Sequence, residues 1–76
     1  MNWKDRIAIE PNVLVGKPVI KGTRIAVEFI VELLAEGCSH EQILKNYSHL
    51  TTEDIQAALH YASDMMQLKP VGLEDL

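Results

Sequence analysis

The spacing of apolar residues changes near residue 26. Before it, apolar residues stand in short runs that Gly and Pro interrupt, and the alternation over Arg6–Ile9 predicts a strand that ends at a Glu10–Asn12 turn. After it, apolar residues recur every three or four positions, which is typical of amphipathic helices. The pattern therefore predicts a mainly α chain, with a short N-terminal β-hairpin arm (residues 1–25), a three-helix, helix-turn-helix-like body (residues 26–68) and a C-terminal tail (residues 69–76).

The arm combines extended segments with turn residues. Val13–Val15 predicts a further extended run, and the Lys21–Gly22 pair between apolar residues is typical of a hairpin turn. Pro18 cannot donate a ladder hydrogen bond, so we expect it at the start or the edge of a strand. An open edge invites pairing with a second chain, and we expect the arm to form a homodimer by strand exchange or addition.

Three helix patterns follow the arm. The first runs from about Val27 to Glu36, and Gly37 supplies the left-handed residue that ends many helices. Residues 39–42 form a capping box that begins a short helix to about Tyr47. Thr51 caps a longer helix that reaches Gln67. The apolar residues of this third helix that we expect to be buried are Ile55, Ala58, Leu59, Ala62 and Met66, with Tyr61 and Met65 extending the same face.

Three glutamates stand four residues apart on the polar face of the first helix. They are Glu28, Glu32 and Glu36, and each like-charged pair costs a few tenths of a kcal/mol unless a positive group approaches. We expect Arg6 or Arg24 of the arm to be that group. The alternative is the basic surface of a partner protein.

The second and third helices, joined by the Ser48–Leu50 turn, have the spacing of a helix-turn-helix unit. The third would then be the recognition helix, in which Gln56 could read adenine and His60 could touch a phosphate. Neither is Lys or Arg, and the acidic first turn would repel phosphates, so the sequence favours a packing role for this body over insertion into a DNA groove. The candidate DNA contacts of this helix are Thr52, Gln56 and His60.

Charge divides the chain at the same boundary as periodicity. Residues 1–25 contain five Lys and Arg against two Asp and Glu, a net +3, whereas residues 26–76 contain two against nine, a net −7. The candidate phosphate contacts are therefore Lys17, Lys21 and Arg24 of the arm, although the sequence favours structural roles for them in the hairpin and in ion pairs. Alternatively, the two signs neutralise each other within one chain or across a dimer.

Composition bounds the remaining possibilities. A chain of 76 residues is one small domain, yet 47% of its residues are hydrophobic, which favours self-association or docking onto a partner. The single cysteine excludes an internal disulfide. The charged start and the lack of long apolar runs predict a cytoplasmic chain that does not enter membranes.

Catalytic and metal-binding signals are weak. His40, His49 and His60 are spaced too irregularly for a local metal pair, and no residues supply a nucleophile, a base and an orienting group together. We therefore expect no cofactor, no metal and no enzymatic activity. The tail combines Pro70 and Gly72 with apolar and acidic residues, so it is expected either to fray or to order on a partner. Its candidate partner contacts are Val71, Leu73 and Leu76.

Four stretches of the chain together resemble domain-of-unknown-function family 433. They are Gly16 to Ile25, Val27 to Gly37, the S-x-E-Q-I-L motif from Ser39, and the L-T-x-E-D-I-x-A-A-L-x-Y-A motif from Leu50. The resemblance implies a β-hairpin followed by a homeodomain-like helix-turn-helix body, in small prokaryotic proteins. It also implies an antitoxin encoded beside a nuclease-like toxin related to the PIN domain.

The leading hypothesis is a homodimeric antitoxin that neutralises a PIN-like ribonuclease and weakly binds its own promoter DNA. The acidic face of the first helix and the tail would then cover the basic cleft of the toxin. One alternative is a stand-alone helix-turn-helix DNA-binding regulator. The other is a purely structural dimerisation module.

Overall fold

A β-hairpin and three helices build the structure, a computed structural model that describes residues 2–67. The hairpin strands are β1 (Ile7–Ile9) and β2 (Pro18–Ile20), and the helices are α1 (Val27–Ala35), α2 (His40–Asn46) and α3 (Thr52–Gln67). Short 3-10 turns occupy Trp3–Asp5 and Leu14–Gly16. The predicted mainly α architecture with an N-terminal hairpin is confirmed. The tail, with Val71, Leu73 and Leu76, lies outside the described residues.

The two strands pair antiparallel, with Ile7 opposite Ile20, Ala8 opposite Val19 and Ile9 opposite Pro18. Pro18 begins β2, as predicted. The Lys21–Gly22 turn does not join the paired strands, because the chain reverses earlier, over residues 10–17. The predicted reversal at Lys21–Gly22 is nevertheless present after β2, where the Ile20 amide donates to the Ile25 carbonyl over 2.9 Å and Val19 bridges to Ala26, which leads into α1.

The expectation of an extended run over Val13–Val15 is wrong. Leu14 and Val15 have φ angles of 48° and 56°, and Gly16 has 80°. The left-handed conformation is costly for side chains branched at Cβ, by about 1–2 kcal/mol per residue. The Val15 side chain is 95% exposed, so no packing of the described chain offsets that cost.

Replacing Val15 by asparagine is expected to raise the free energy of unfolding by about 1 kcal/mol, because asparagine tolerates the left-handed region. For a domain of this size, such a change raises Tm by about 4–8 °C. Val13→Asn is the control, since Val13 has an extended backbone with φ −114° and ψ 114°. An equal gain from both variants in thermal unfolding would contradict a conformational cause.

Helix termini follow the predicted local chemistry. Gly37 has a φ of 98°, and the amide of the next residue donates to the Leu33 carbonyl over 3.0 Å, which ends α1. The Ser39 amide donates to Gln42 Oε1 over 2.8 Å, and the Gln42 amide donates to Ser39 Oγ over 3.1 Å. These two bonds form the predicted capping box of α2.

The core lies where α3 meets α1, α2 and the hairpin. Ile30 of α1, Ile43 of α2 and Ile55 of α3 are at most 1% exposed. Ala57 and Ala58 are fully buried, and their small side chains let α1 and α3 approach closely. The helices therefore pack around one shared core.

The buried face of α3 is rotated from the predicted one. Ile55 and Ala58 are buried as expected, but Leu59 and Met66 are 37% and 71% exposed. Asp54 and Ala57 are buried although they lie outside the predicted face, and Tyr61 is half-buried, as expected of a residue that extends the buried face. Two apolar stripes overlap on this helix, and the positions of α1 and the N-terminal turn decide which one is covered.

Candidate partner-binding groove

An apolar groove lies between α1 and α3, beside the start of β2. It encloses about 400 Å³, and Glu28 and Glu32 are its charged residues. Ala62 lies one turn after the buried Ala58 on α3. The small-residue face that lets α1 and α3 approach at Ala58 therefore leaves the space of the groove at Ala62. The other lining residues are Pro18, Val27, Val31, Tyr61 and Ala62.

One wall of the groove is held in place from the N-terminus. Trp3 packs edge-to-face on Tyr61, with ring centroids 4.7 Å apart and an interplanar angle of 89°. Trp3 Nε1 also donates to Asp64 Oδ2 over 2.6 Å. These contacts use the only tryptophan to dock the N-terminal turn on α3, and they limit the freedom of the Tyr61 ring before any partner binds.

A row of glutamates on α1 continues from the groove. Lys17 Nζ lies 2.6 Å from Glu28 Oε1, and both side chains are more than half exposed. Glu32 and Glu36 are exposed and form no ion pair with another residue of the 2–67 segment. We call Glu28, Glu32 and Glu36 the acidic ridge.

The expectation that Arg6 or Arg24 neutralises the acidic ridge is wrong. Lys17 has that role for Glu28, because residue 17 immediately precedes β2, which packs against α1. Arg6 Nη1 instead lies 3.1 Å from Asp54 Oδ1 of α3. The structure therefore leaves most of the negative charge of the ridge uncompensated within the described chain.

Residues 7–62 match the model of a protein family described as "Protein of unknown function (DUF433)". The chain belongs to the DUF433 family. The match runs from the start of β1 to Ala62, so it contains every residue that lines the groove. The family assignment that the sequence motifs predicted is thus confirmed.

Two relatives place this DUF433 chain among known proteins. It is 34% identical over 59 residues to the uncharacterized protein y4eO of Sinorhizobium fredii (strain NBRC 101917 / NGR234), a match that covers 78% of this chain and 27% of that protein. The crystal structure of a DUF433 member protein from Anabaena variabilis ATCC 29413 at 2.00 Å superposes with a TM-score of 0.79 at 35% identity. That match covers 86% of this chain and 64% of the other, so the chain spans less than two thirds of both relatives.

The candidate DNA contacts of this DUF433 chain fall in separate places. Gln56 and His60 line one shallow hollow on the exposed face of α3, together with Leu59 and Ser63. Thr52 begins the same helix and is exposed. These three candidate contacts on α3 therefore share a surface.

The cations of the arm face elsewhere. Lys17 pairs with Glu28, and Lys21 Nζ donates to the backbone carbonyl of Lys4 over 3.3 Å. Arg24 lines a hollow beside the hairpin that also includes Glu10. No contact within residues 2–67 joins these three side chains to the hollow of Gln56 and His60.

Sequence reasoning identified the charged rim of the groove but missed its apolar lining. Pro18 begins β2, whereas Tyr61 and Ala62 lie on α3, and no local pattern brings the two elements together. A weak signal was present in the Ala58–Ala62 spacing on α3, because alanines one turn apart indicate a small-residue face. That face predicts close helix approach but not which helix approaches.

Among the residues that the structure describes, no three His, Cys, Asp or Glu side chains group in a way that could hold a metal ion. In the same part of the chain, no helix combines the length and the apolar character needed to cross a membrane.

Proposed function

We propose that this chain is an antitoxin-like, non-enzymatic protein that binds and neutralises a PIN-like ribonuclease toxin. The observation that carries the proposal is the apolar groove with Glu28 and Glu32 on its rim. Apolar side chains of a partner would lose their water in this groove, and the carboxylates would attract cations beside them. A groove between two helices is a common site for a partner helix.

The chemistry of a ribonuclease suits the acidic ridge. A protein that binds RNA needs cationic side chains for the phosphates, and these groups can pair with carboxylates when no RNA is bound. Glu32 and Glu36 are exposed and lack an ion pair within the described chain, so they are available for such contacts. The partner element that fits best is therefore a helix with apolar anchors flanked by Lys or Arg.

The cost of the acidic ridge in the free chain supports the same conclusion. Glutamates four residues apart on one helix repel each other by a few tenths of a kcal/mol per pair. Lys17 offsets this repulsion only at Glu28. A cationic partner would relieve the remainder on binding, so the repulsion in the free chain becomes part of the driving force for association.

Co-expression with the product of the neighbouring gene, which the proposal expects to be a PIN-like nuclease, tests the proposal. We expect the two proteins to co-purify and growth inhibition by the nuclease to be relieved. Glu32→Lys is expected to weaken the complex at least about tenfold, or about 1.4 kcal/mol, because it reverses a charge at the groove. The binding constant is measured by titration calorimetry at several salt concentrations.

Glu41→Lys is the matched control for this experiment. Glu41 is an exposed glutamate of α2 that does not line the groove. We expect this variant to bind the nuclease like the unmodified chain. Equal loss from both variants would indicate a general charge effect, and failure of the neighbour to co-purify would contradict the proposal.

A stand-alone DNA-binding regulator is the second candidate. The observation that favours it is the shared hollow of Gln56 and His60 on the exposed face of α3. Fluorescence anisotropy with promoter DNA should then show salt-dependent binding that Gln56→Ala weakens at specific sequences and Lys21→Ala weakens at all sequences. The same result for random and promoter DNA would count against sequence-specific regulation.

A further inference from the structure

Strand β1 has an unused hydrogen-bonding edge. Within the hairpin, the Lys21 amide donates to the Arg6 carbonyl over 2.8 Å, and Ala8 lies opposite Val19. In antiparallel pairing only alternate residues bond to a given neighbour, so the backbone groups of Ile7 and Ile9 point away from β2. No backbone bond outside the strand pairing, among residues 2–67, uses these groups.

The other side of the hairpin is already occupied. The Ile20 amide donates to the Ile25 carbonyl over 2.9 Å, and Val19 bridges to Ala26. A further strand can therefore be added only beside β1. Its N–H and C=O groups must match those of Ile7 and Ile9.

We propose that two copies of this chain pair antiparallel through β1, with Ala8 on the two-fold axis. In this register Ile7 of each copy lies opposite Ile9 of the other. Both residues direct their backbone groups outward, so each such pair exchanges two hydrogen bonds. Ala8 then faces Ala8 of the second copy at a non-hydrogen-bonded position, where Cα atoms lie about 4.5 Å apart and a small side chain is favourable.

Charge complementarity identifies the second strand as another copy of β1. The same register places Arg6 opposite Glu10 of the second copy at both ends of the pairing. Arg6 uses Nη1 for Asp54 and Thr51, and its side chain is 40% exposed, so other guanidinium nitrogens remain available. Glu10 is exposed and forms no ion pair with another described residue. The segment Arg6–Glu10 is thus complementary to itself, with opposite charges at its two ends.

Burial within the hairpin is consistent with this pairing. Ile7 is 5% exposed and belongs to the core, whereas Ile9 on the same strand face is 55% exposed. In the proposed register, Ile9 lies beside Ile7 of the second copy and extends its apolar surface. The dimer would therefore cover Ile9 as well as the strand edge, and it would have the isologous interface of a two-fold dimer.

Sedimentation equilibrium of the full chain over a concentration series tests the proposal. We expect a reversible dimer, and we expect Ile9→Lys to be monomeric, because a charged side chain on an edge strand opposes strand addition. Val15→Lys introduces the same positive charge at a more exposed residue outside β1, and this variant is expected to remain dimeric. Circular dichroism of each variant shows whether the monomer is folded.

Charge reversal gives a second comparison. Glu10→Arg places two arginines opposite each other and is expected to weaken the dimer at least tenfold, while Glu41→Arg on α2 leaves it unchanged. The groove variant Glu32→Lys is also expected to remain dimeric, which separates this proposal from the toxin-binding one. A dimer that Ile9→Lys and Glu10→Arg leave intact would overturn the proposed interface.

Amide exchange and nuclear Overhauser effects report on the register itself. The Ile7 and Ile9 amides are expected to become protected as concentration rises, whereas the Ala8 amide is protected by Val19 at all concentrations. A mixed-label sample should show a contact between the Ala8 Hα atoms of the two copies. A chain that is monomeric at all concentrations, or exchange at Ile7 and Ile9 that does not depend on concentration, would overturn the proposal.

Discussion

Replacing Ile55 by alanine is expected to lower the free energy of unfolding by about 3 kcal/mol, within the range of about 2–5 kcal/mol for buried isoleucine. Ile55 is fully buried at the centre of the core, where α3 meets α1 and the hairpin. The variant loses apolar contacts and leaves a cavity that fully packed neighbours cannot fill. Small domains have total stabilities of about 5–15 kcal/mol, so this loss removes a large fraction.

Leu59→Ala is the matched comparison on the same helix. Leu59 lies one turn from Ile55, but its side chain is 37% exposed. We expect its replacement to cost less than about 1 kcal/mol, because water already reaches much of the side chain. Urea unfolding followed by circular dichroism measures both variants. Equal losses would mean that α3 buries the face predicted from the sequence rather than the one in the structure.

Asp54→Ala is expected to lower the free energy of unfolding by about 2–3 kcal/mol, combining a lost helix cap with a broken, partly buried ion pair. Asp54 Oδ2 accepts from the Thr51 amide over 3.0 Å, and Oδ1 lies 3.1 Å from Arg6 Nη1. The residue is only 8% exposed. The Asp54 carboxylate therefore caps the N-terminus of α3 and also holds the hairpin arm against this helix.

A double-mutant cycle separates the two roles of Asp54. Arg6→Met removes the arm contact and keeps the cap, whereas Asp54→Asn keeps a capping oxygen and removes the charge. If the pair contributes, the loss in the double variant is smaller than the sum of the single losses by about 0.5–3 kcal/mol. Glu53→Ala, at an exposed neighbour in the same turn, is the control. Simple additivity would show that Arg6 and Asp54 act independently.

These two residues also bear on the proposed interfaces. Arg6 immediately precedes β1, so its contact with Asp54 helps to set the position of the strand edge relative to α3. Trp3, in the N-terminal turn that precedes Arg6, packs against Tyr61 in the wall of the groove. The arm thus contributes to both surfaces. A loss of its docking on α3 is expected to weaken dimerisation and partner binding together.

Local chemistry made several features predictable from the sequence. The Ser39 capping box, the helix end at Gly37 and the position of Pro18 all depend on groups within a few residues of each other. Helical periodicity identified α1, α2 and α3, and the acidic ridge followed from the spacing of its glutamates. For the candidate site, this reasoning located the charged rim and the exposed residues Gln56 and His60.

The tertiary structure decided what depends on residues far apart in the chain. Arg6 and Asp54 are separated by 48 positions, so the sequence could not show that Arg6 pairs with Asp54 rather than with the acidic ridge. The left-handed turn at Leu14 and Val15 is imposed on residues that disfavour it, since the chain must return to pair β2 with β1. The rotated buried face of α3 and the groove beside it arise in the same way, from which elements pack there. Periodicity locates an apolar face, but only the packed neighbours determine which part of it loses its water.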